Sequence, residues 1–188
     1  MEFIDVLNSR ISIRKYKDTP VEQEKIDKLM DLMRIAPSAC NRQEWKFVAV
    51  TEEEQLKKMR VACKSCGPAM TAPLIFCICT TEYASMNDSG YNRGTIDASI
   101  PTTYLHLATY SMGLGSCWLG SFDSAMAAEI VGCPEGTKVV TVVTVGYPDE
   151  APNPRPRKSF DEVAVYNHFS LTAADLEKKK QKTSSTEK

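Results

Sequence analysis

Residues 139–145 read Val-Val-Thr-Val-Val-Thr-Val, seven β-branched side chains in succession. Such residues lose rotamer freedom in a helix and pack well on a pleated surface, so this run is the strongest strand in the chain. Residues 73–81 are apolar, with Leu74-Ile75-Phe76-Cys77-Ile78-Cys79 at their centre, and predict a second, buried strand. Within it Cys77 and Cys79 alternate with Phe76 and Ile78 and read as small hydrophobes. Shorter strands are expected at 46–50 and 116–120. Helical spacing marks 2–9, a helix from Thr19-Pro20 to about Ile35, and 52–62, with acids early and bases late. Thr19 is the expected N-cap of the second of these, with Pro20 at its first position.

A long helix is expected over 95–112, with Pro101 near its start and apolar or small residues on nearly every side. Gly113 is placed for a left-handed C-cap. A further helix over 124–131 has Asp123 as its N-cap. Residues 63–71 read as a connector, and the proline-rich stretch 149–156 as an extended arm. Helices and strands alternate without clean βαβ units. Gly113-x-Gly115 lacks a third glycine and follows a helix, so a dinucleotide-binding loop is excluded. The layout is that of an α+β domain, a small sheet with helices packed on it.

The 188 residues suffice for one substantial core and are short for two. A net charge of -1 argues against a nucleic-acid binder. No apolar run approaches the ~20 residues of a membrane helix. The start, Met1-Glu2-Phe3-Ile4-Asp5, lacks a basic region followed by an apolar core, so no signal peptide is expected. Seven cysteines without an export signal suit a reducing interior, and a cytoplasmic protein is expected. Cys63-x-x-Cys66 has no second pair to complete a four-ligand metal site, and His106 and His168 stand apart, so no metal is expected.

Arg10-Ile11-Ser12-Ile13-Arg14-Lys15-Tyr16 alternates with period two. If extended, it sets Arg10, Ser12 and Arg14 on one side and the isoleucines on the other. Read alone, this fits an edge strand with a solvated charged face. It also fits a site for a planar, anionic ligand gripped by two guanidinium groups.

The stretch resembles the opening of the nitroreductase family of flavin enzymes, and three further segments match that family in order. These are Pro37-Ser38-Ala39-Cys40-Asn41-Arg42-Gln43-Glu44-Trp45, then Gly113-Leu114-Gly115-Ser116-Cys117-Trp118-Leu119-Gly120, then Gly146-Tyr147-Pro148 with Arg155-Pro156-Arg157-Lys158. Glu44 departs from the family, which usually has proline there.

The resemblance covers residues 1–170 and implies one FMN-binding domain, with a charged tail at 171–188. It implies a small, mostly antiparallel sheet flanked by helices in an intertwined homodimer, with the 95–112 helix at the dimer centre. Arg10, Arg155 and Arg157 would converge on the FMN phosphate, Ser12 on the ribityl chain or phosphate, and Arg14 on the ring where reduction develops negative charge. Backbone amides at Leu119 and Gly120 would address the ring edge. Pro37, Ser38 and Asn41 would close the site from the partner chain.

The implied activity is hydride transfer from NADH or NADPH to nitroaromatics, quinones or related small acceptors in a ping-pong cycle. The cofactor carries that chemistry, so no catalytic residue is required. No motif selects between the two nicotinamides. The other reading is an FMN-binding protein without turnover, a sensor or flavin carrier. The polar loop 82–94 is either a mobile cover over the flavin, with Tyr83 and Tyr91 as stacking groups, or a surface loop away from it.

Overall fold

The computed structural model describes residues 2–81, 85–169 and 171. The chain divides into two compact units, Met1–Pro152 and Asn153–Lys188. The first holds a four-stranded antiparallel sheet built from β1 (Trp45–Val50), β2 (Leu74–Thr80), β3 (Gly115–Leu119) and β4 (Lys138–Gly146), in the order β1-β2-β4-β3. Its helices are α1 (Phe3–Ser9), α2 (Gln23–Arg34), α3 (Glu53–Ala62), α4 (Gly67–Thr71), α5 (Arg93–Ser111) and α6 (Ser124–Ile130). Among the described residues no helix is long and apolar enough to cross a membrane.

The two central strands are buried on both faces, which explains why β2 and β4 read as near-continuous apolar runs. On one face Leu74, Phe76, Ile78, Val143 and Val145 pack against α2 and α5 through Ile26, Leu29, Met33, Ala98 and Leu105. On the other, Ile75, Cys77, Cys79 and Val142 pack against α3, α4 and α6 through Leu56, Met59, Ala69 and Ala127. A bulge in the β2–β4 ladder sets Cys79 opposite Val139 where Ile78 faces Thr141. Val139 therefore joins the same side as Cys79.

Most elements lie where the sequence puts them. Asp123 caps α6, its carboxylate accepting from Met126 N at 2.9 Å, and Gly113 has φ 73 at the end of α5. Three elements differ. The second helix starts at Gln23, so Thr19 is not its N-cap. The chain stays extended long enough to bury Val21, and the Glu22 carboxylate at the helix start accepts from the Tyr147 hydroxyl at 2.7 Å. The connector 63–71 contains α4, a helix too short to carry a periodic signal. The long helix α5 starts two residues early, because Asn92 caps it by accepting from Thr95 N at 2.8 Å.

That helix is not buried all round. Ile96 and Tyr104 are exposed on α5, as are Phe3, Ile4 and Leu7 on α1, where Val6 alone is buried. The second unit holds an extended stretch and α7 (Phe160–Val163), which opens on a capping box of Ser159 and Glu162. Of the expected tail at 171–188, all but residue 171 lies outside the described residues.

Candidate functional site

The segment from Arg10 to Tyr16 is extended and lies along the open edge of β3. Ser12 bridges to Ser116, and Ile13 N donates to Ser116 O at 3.0 Å. Further on, Lys17 N donates to Tyr147 O at 2.9 Å, Asp149 N donates to Lys15 O at 3.0 Å, and Arg14 N donates to the Glu150 carboxylate. Tyr16 is buried, its hydroxyl 2.6 Å from Ile13 O and 3.1 Å from Thr144 O. Two glycines make this docking possible. Gly115 and Gly146 face each other across β3 and β4. A Cβ on Gly115 would lie 2.6 Å from Ile13 Cγ1, and one on Gly146 would lie 2.7 Å from Pro73 Cδ and 3.1 Å from Tyr16 Cβ. The segment thus rests where two side chains are missing from the sheet.

The alternation holds in three dimensions. Ile13 is buried and Ile11 half-buried, while Arg10 and Ser12 are half-buried and Arg14 is exposed. Arg14 Nη1 donates to Ser12 O at 3.5 Å. The result is a ridge with two guanidinium groups and a hydroxyl on its open side. Ser116, beneath the ridge, lies four positions before Gly120, the exposed residue after β3 and Leu119. The row therefore extends about 13 Å. Among the described residues a Cβ on Gly120 would meet nothing within 4 Å, so this end of the strand is open to close approach.

Beneath the ridge lies a polar pair the sequence does not reveal. His106 is buried on α5, with Nδ1 2.7 Å from Ser116 Oγ, which is also 2.8 Å from Thr109 Oγ1. Its ring stacks on Trp118 at 6.1 Å. Burial pushes the imidazole down to about 4, and the Arg10 charge acts in the same direction. His106 is therefore neutral at pH 7 and adds no charge beneath Arg10.

The second predicted group sits elsewhere. Pro37 and Asn41 are exposed and Ser38 half-buried, in a loop with one 3-10 turn at Ala39–Asn41. Cys40, Asn41 and Gln43 have positive φ (52, 54 and 55°), an unusual density of left-handed non-glycine residues. The loop is held by Asp97, the sole carboxylate of α5, which accepts from Ala39 N at 3.1 and 3.3 Å. Gln43 N donates to Ser38 Oγ at 3.0 Å.

This loop feeds β1 at one edge of the sheet, and the ridge lies on β3 at the other, three strand spacings or about 14 Å away. Along α5, Asp97 and His106 are nine residues apart, again about 13 Å. One chain does not bring the two groups together. Arg155 and Arg157 belong to the second unit, where both are exposed. Tyr91 is exposed, and Tyr83 lies outside the described residues.

A sequence model of the nitroreductase family matches residues 7–69 and 66–147, which include the ridge, the 37–45 loop and β3. The chain belongs to the nitroreductase family. A relative from Archaeoglobus fulgidus, named for NADH dehydrogenase and NAD(P)H nitroreductase, is 33% identical over 79% of this chain and 87% of its own. Among solved structures, a nitroreductase family protein from Clostridium difficile superposes with a TM-score of 0.80 at 27% identity, covering 90% of this chain and all of that one. Another from Clostridium difficile, described as an FMN-dependent nitroreductase, gives 0.75 at 29% identity over 88% and 99%.

Within this nitroreductase-family chain, sequence reasoning found the ridge but missed what supports it. His106, Asp97, Gly115 and Gly146 were legible only as a lone histidine, a lone acid in an apolar helix, and two strand-end glycines.

Proposed function

We propose that the chain is a homodimeric FMN-dependent oxidoreductase that takes reducing equivalents from NADH or NADPH. We propose further that it passes them to small acceptors such as nitroaromatics or quinones, with donor and acceptor using one site in turn. The observation that carries this reading is the ridge: two guanidinium groups and a hydroxyl along an open strand edge, ending at an exposed glycine. That donor set fits FMN, whose phosphate is a dianion and whose ring edge accepts hydrogen bonds. The Clostridium difficile relative described as FMN-dependent supports the same cofactor.

Arg10 binds the phosphate. Ser12 holds the ribityl chain or phosphate. Arg14 places a fixed cation by the ring, and the amides at Leu119 and Gly120 meet the ring edge. FMN, when bound, supplies the hydride chemistry. The protein's share is binding, orientation and electrostatics, and no side chain acts as nucleophile or acid.

Pro37, Ser38 and Asn41 act on the partner's site. The separation of loop and ridge within one chain supports this, as do the exposed apolar side chains of α1 and α5, which a second copy would cover. A mixing experiment tests the reading. Arg10→Ala and Asn41→Ala are each expected to impair FMN-dependent oxidation of NADH or NADPH. Co-expressed, the two variants form mixed dimers with one intact site each, so roughly a quarter of the sites recover in a random mixture. Absence of recovery rejects the shared site. Release of a flavin other than FMN on heating rejects the cofactor, and tight FMN binding without turnover with any acceptor rejects the enzyme.

A further inference from the structure

A second chemical feature lies on the opposite face of the sheet from α2 and α5. Cys133 Sγ, in the turn after α6, donates to Cys79 Sγ of β2 at 3.6 Å. Cys79 faces this side by the alternation it shares with Ile75 and Cys77, and the bulge in β4 sets Val139 opposite it. Both thiols line a cavity of about 480 Å³, together with Val48, Val131 and Thr137. Among the described residues Thr137 Oγ1 is buried there without a hydrogen-bond partner. An unpaired buried hydroxyl is costly and marks a place where a small polar molecule is welcome. None of these residues belongs to the ridge or its supports.

We infer that Cys79 and Cys133 form a dithiol site for small hydroperoxides, which the pair reduces while closing to a disulfide. The half-buried Cys133 is the attacking group. Its sulfur displaces the leaving oxygen of the peroxide, the O–O bond breaks, and the alcohol or water leaves with the Cys133 proton. The resulting sulfenic acid is then attacked by the Cys79 sulfur. The S–O bond breaks, water leaves with the Cys79 proton, and the S–S bond forms. Two thiols lose two electrons and one peroxide gains them. Thr137 Oγ1 offers the entering peroxide a hydrogen bond.

The division of roles follows from burial. Cys79 is 2% exposed, and desolvation, with Cys133 alongside, pushes its thiol up to about 12. That burial keeps it from meeting oxidant first, and its place 3.6 Å from Cys133 is what lets it resolve a sulfenic acid formed there. Closure from 3.6 Å to a bond of about 2.05 Å needs side-chain rotation and a small shift of the turn. Gly132 and Gly136, with φ 69 and 84°, flank that turn. Cys133 lies on its surface strip, between the exposed Gly132 and Pro134.

The test treats the cofactor-loaded protein with hydrogen peroxide, blocks remaining thiols after denaturation, and maps peptides without reduction. The expected result is a Cys79–Cys133 linkage in most molecules, with the other five of the seven cysteines unlinked, and full reversal by dithiothreitol. Cys133→Ser, a change at a half-buried position, should abolish the linkage and slow peroxide consumption. Thr137→Val should slow linkage without preventing it. If Cys79 and Cys133 stay separately alkylatable after the exposed Cys40 thiol is consumed, the inference is wrong. Linkage of either cysteine to another chain, or overoxidation of Cys133 without linkage, overturns it equally.

Discussion

Replacing Gly115 by alanine should destabilise the protein and loosen the site together. Away from tertiary contacts this substitution favours folding, because glycine in a strand costs roughly 0.5–1 kcal/mol relative to alanine. Here the new Cβ would sit 2.6 Å from Ile13 Cγ1 and 2.7 Å from Ile13 Cβ. To restore a 3.4 Å contact, Ile13 must retreat by about 0.8 Å. The same retreat stretches the Ile13 N to Ser116 O bond from 3.0 Å toward 3.8 Å, beyond hydrogen-bonding range. Overpacking of this kind costs about 1–3 kcal/mol, and the lost backbone bond about 1 kcal/mol more. We expect a net loss of about 2 kcal/mol by denaturant melting. Because Arg10, Ser12 and Arg14 move with Ile13, FMN affinity should fall about tenfold. Ile13→Ala in the same background should cost less than it does alone, since the clash it relieves is already present. A Gly115→Ala protein as stable as the parent, with unchanged FMN affinity, would refute the idea that these glycines seat the ridge.

His106 should give stability a pH dependence that His106→Asn lacks. The folded imidazole sits at about 4 against an ordinary 6.5, so below 6.5 the unfolded chain takes up a proton the folded one does not. Stability is then full above 6.5 and falls as pH drops toward 4, by up to about 1.4 kcal/mol per pH unit; parallel slopes in the two proteins would count against this. Asp97→Ala should cost about 1–3 kcal/mol and speed amide exchange at 38–43, because it removes the anchor of three left-handed residues. Unchanged exchange there would show that the loop holds itself. Arg10→Ala should weaken FMN binding by roughly 1.5–3 kcal/mol, whereas Arg14→Ala should chiefly lower the flavin midpoint potential. An unchanged potential in Arg14→Ala would mean that its cation does not face the ring.

The sequence by itself determined what depends on neighbours within a few residues. The β-branched run became β4, the apolar run β2, and Asp123 and Gly113 the ends of α6 and α5. A cap or a period is written in adjacent residues. The alternation of Arg10, Ser12 and Arg14 against the isoleucines likewise predicted their sides, and with the three later segments it led to the family. Only tertiary structure decided what that ridge rests on. Ile13 meets Gly115 about a hundred residues later, and no local preference encodes a contact with a missing side chain. The start of α2 was settled by Val21 and Tyr147, and the strained 37–45 loop by Asp97. The approach of Cys133 to Cys79 joins the turn after α6 to a strand more than fifty residues earlier. Alternation along β2 sets the face of Cys79, but only the packing of α6 against that face brings Cys133 to it.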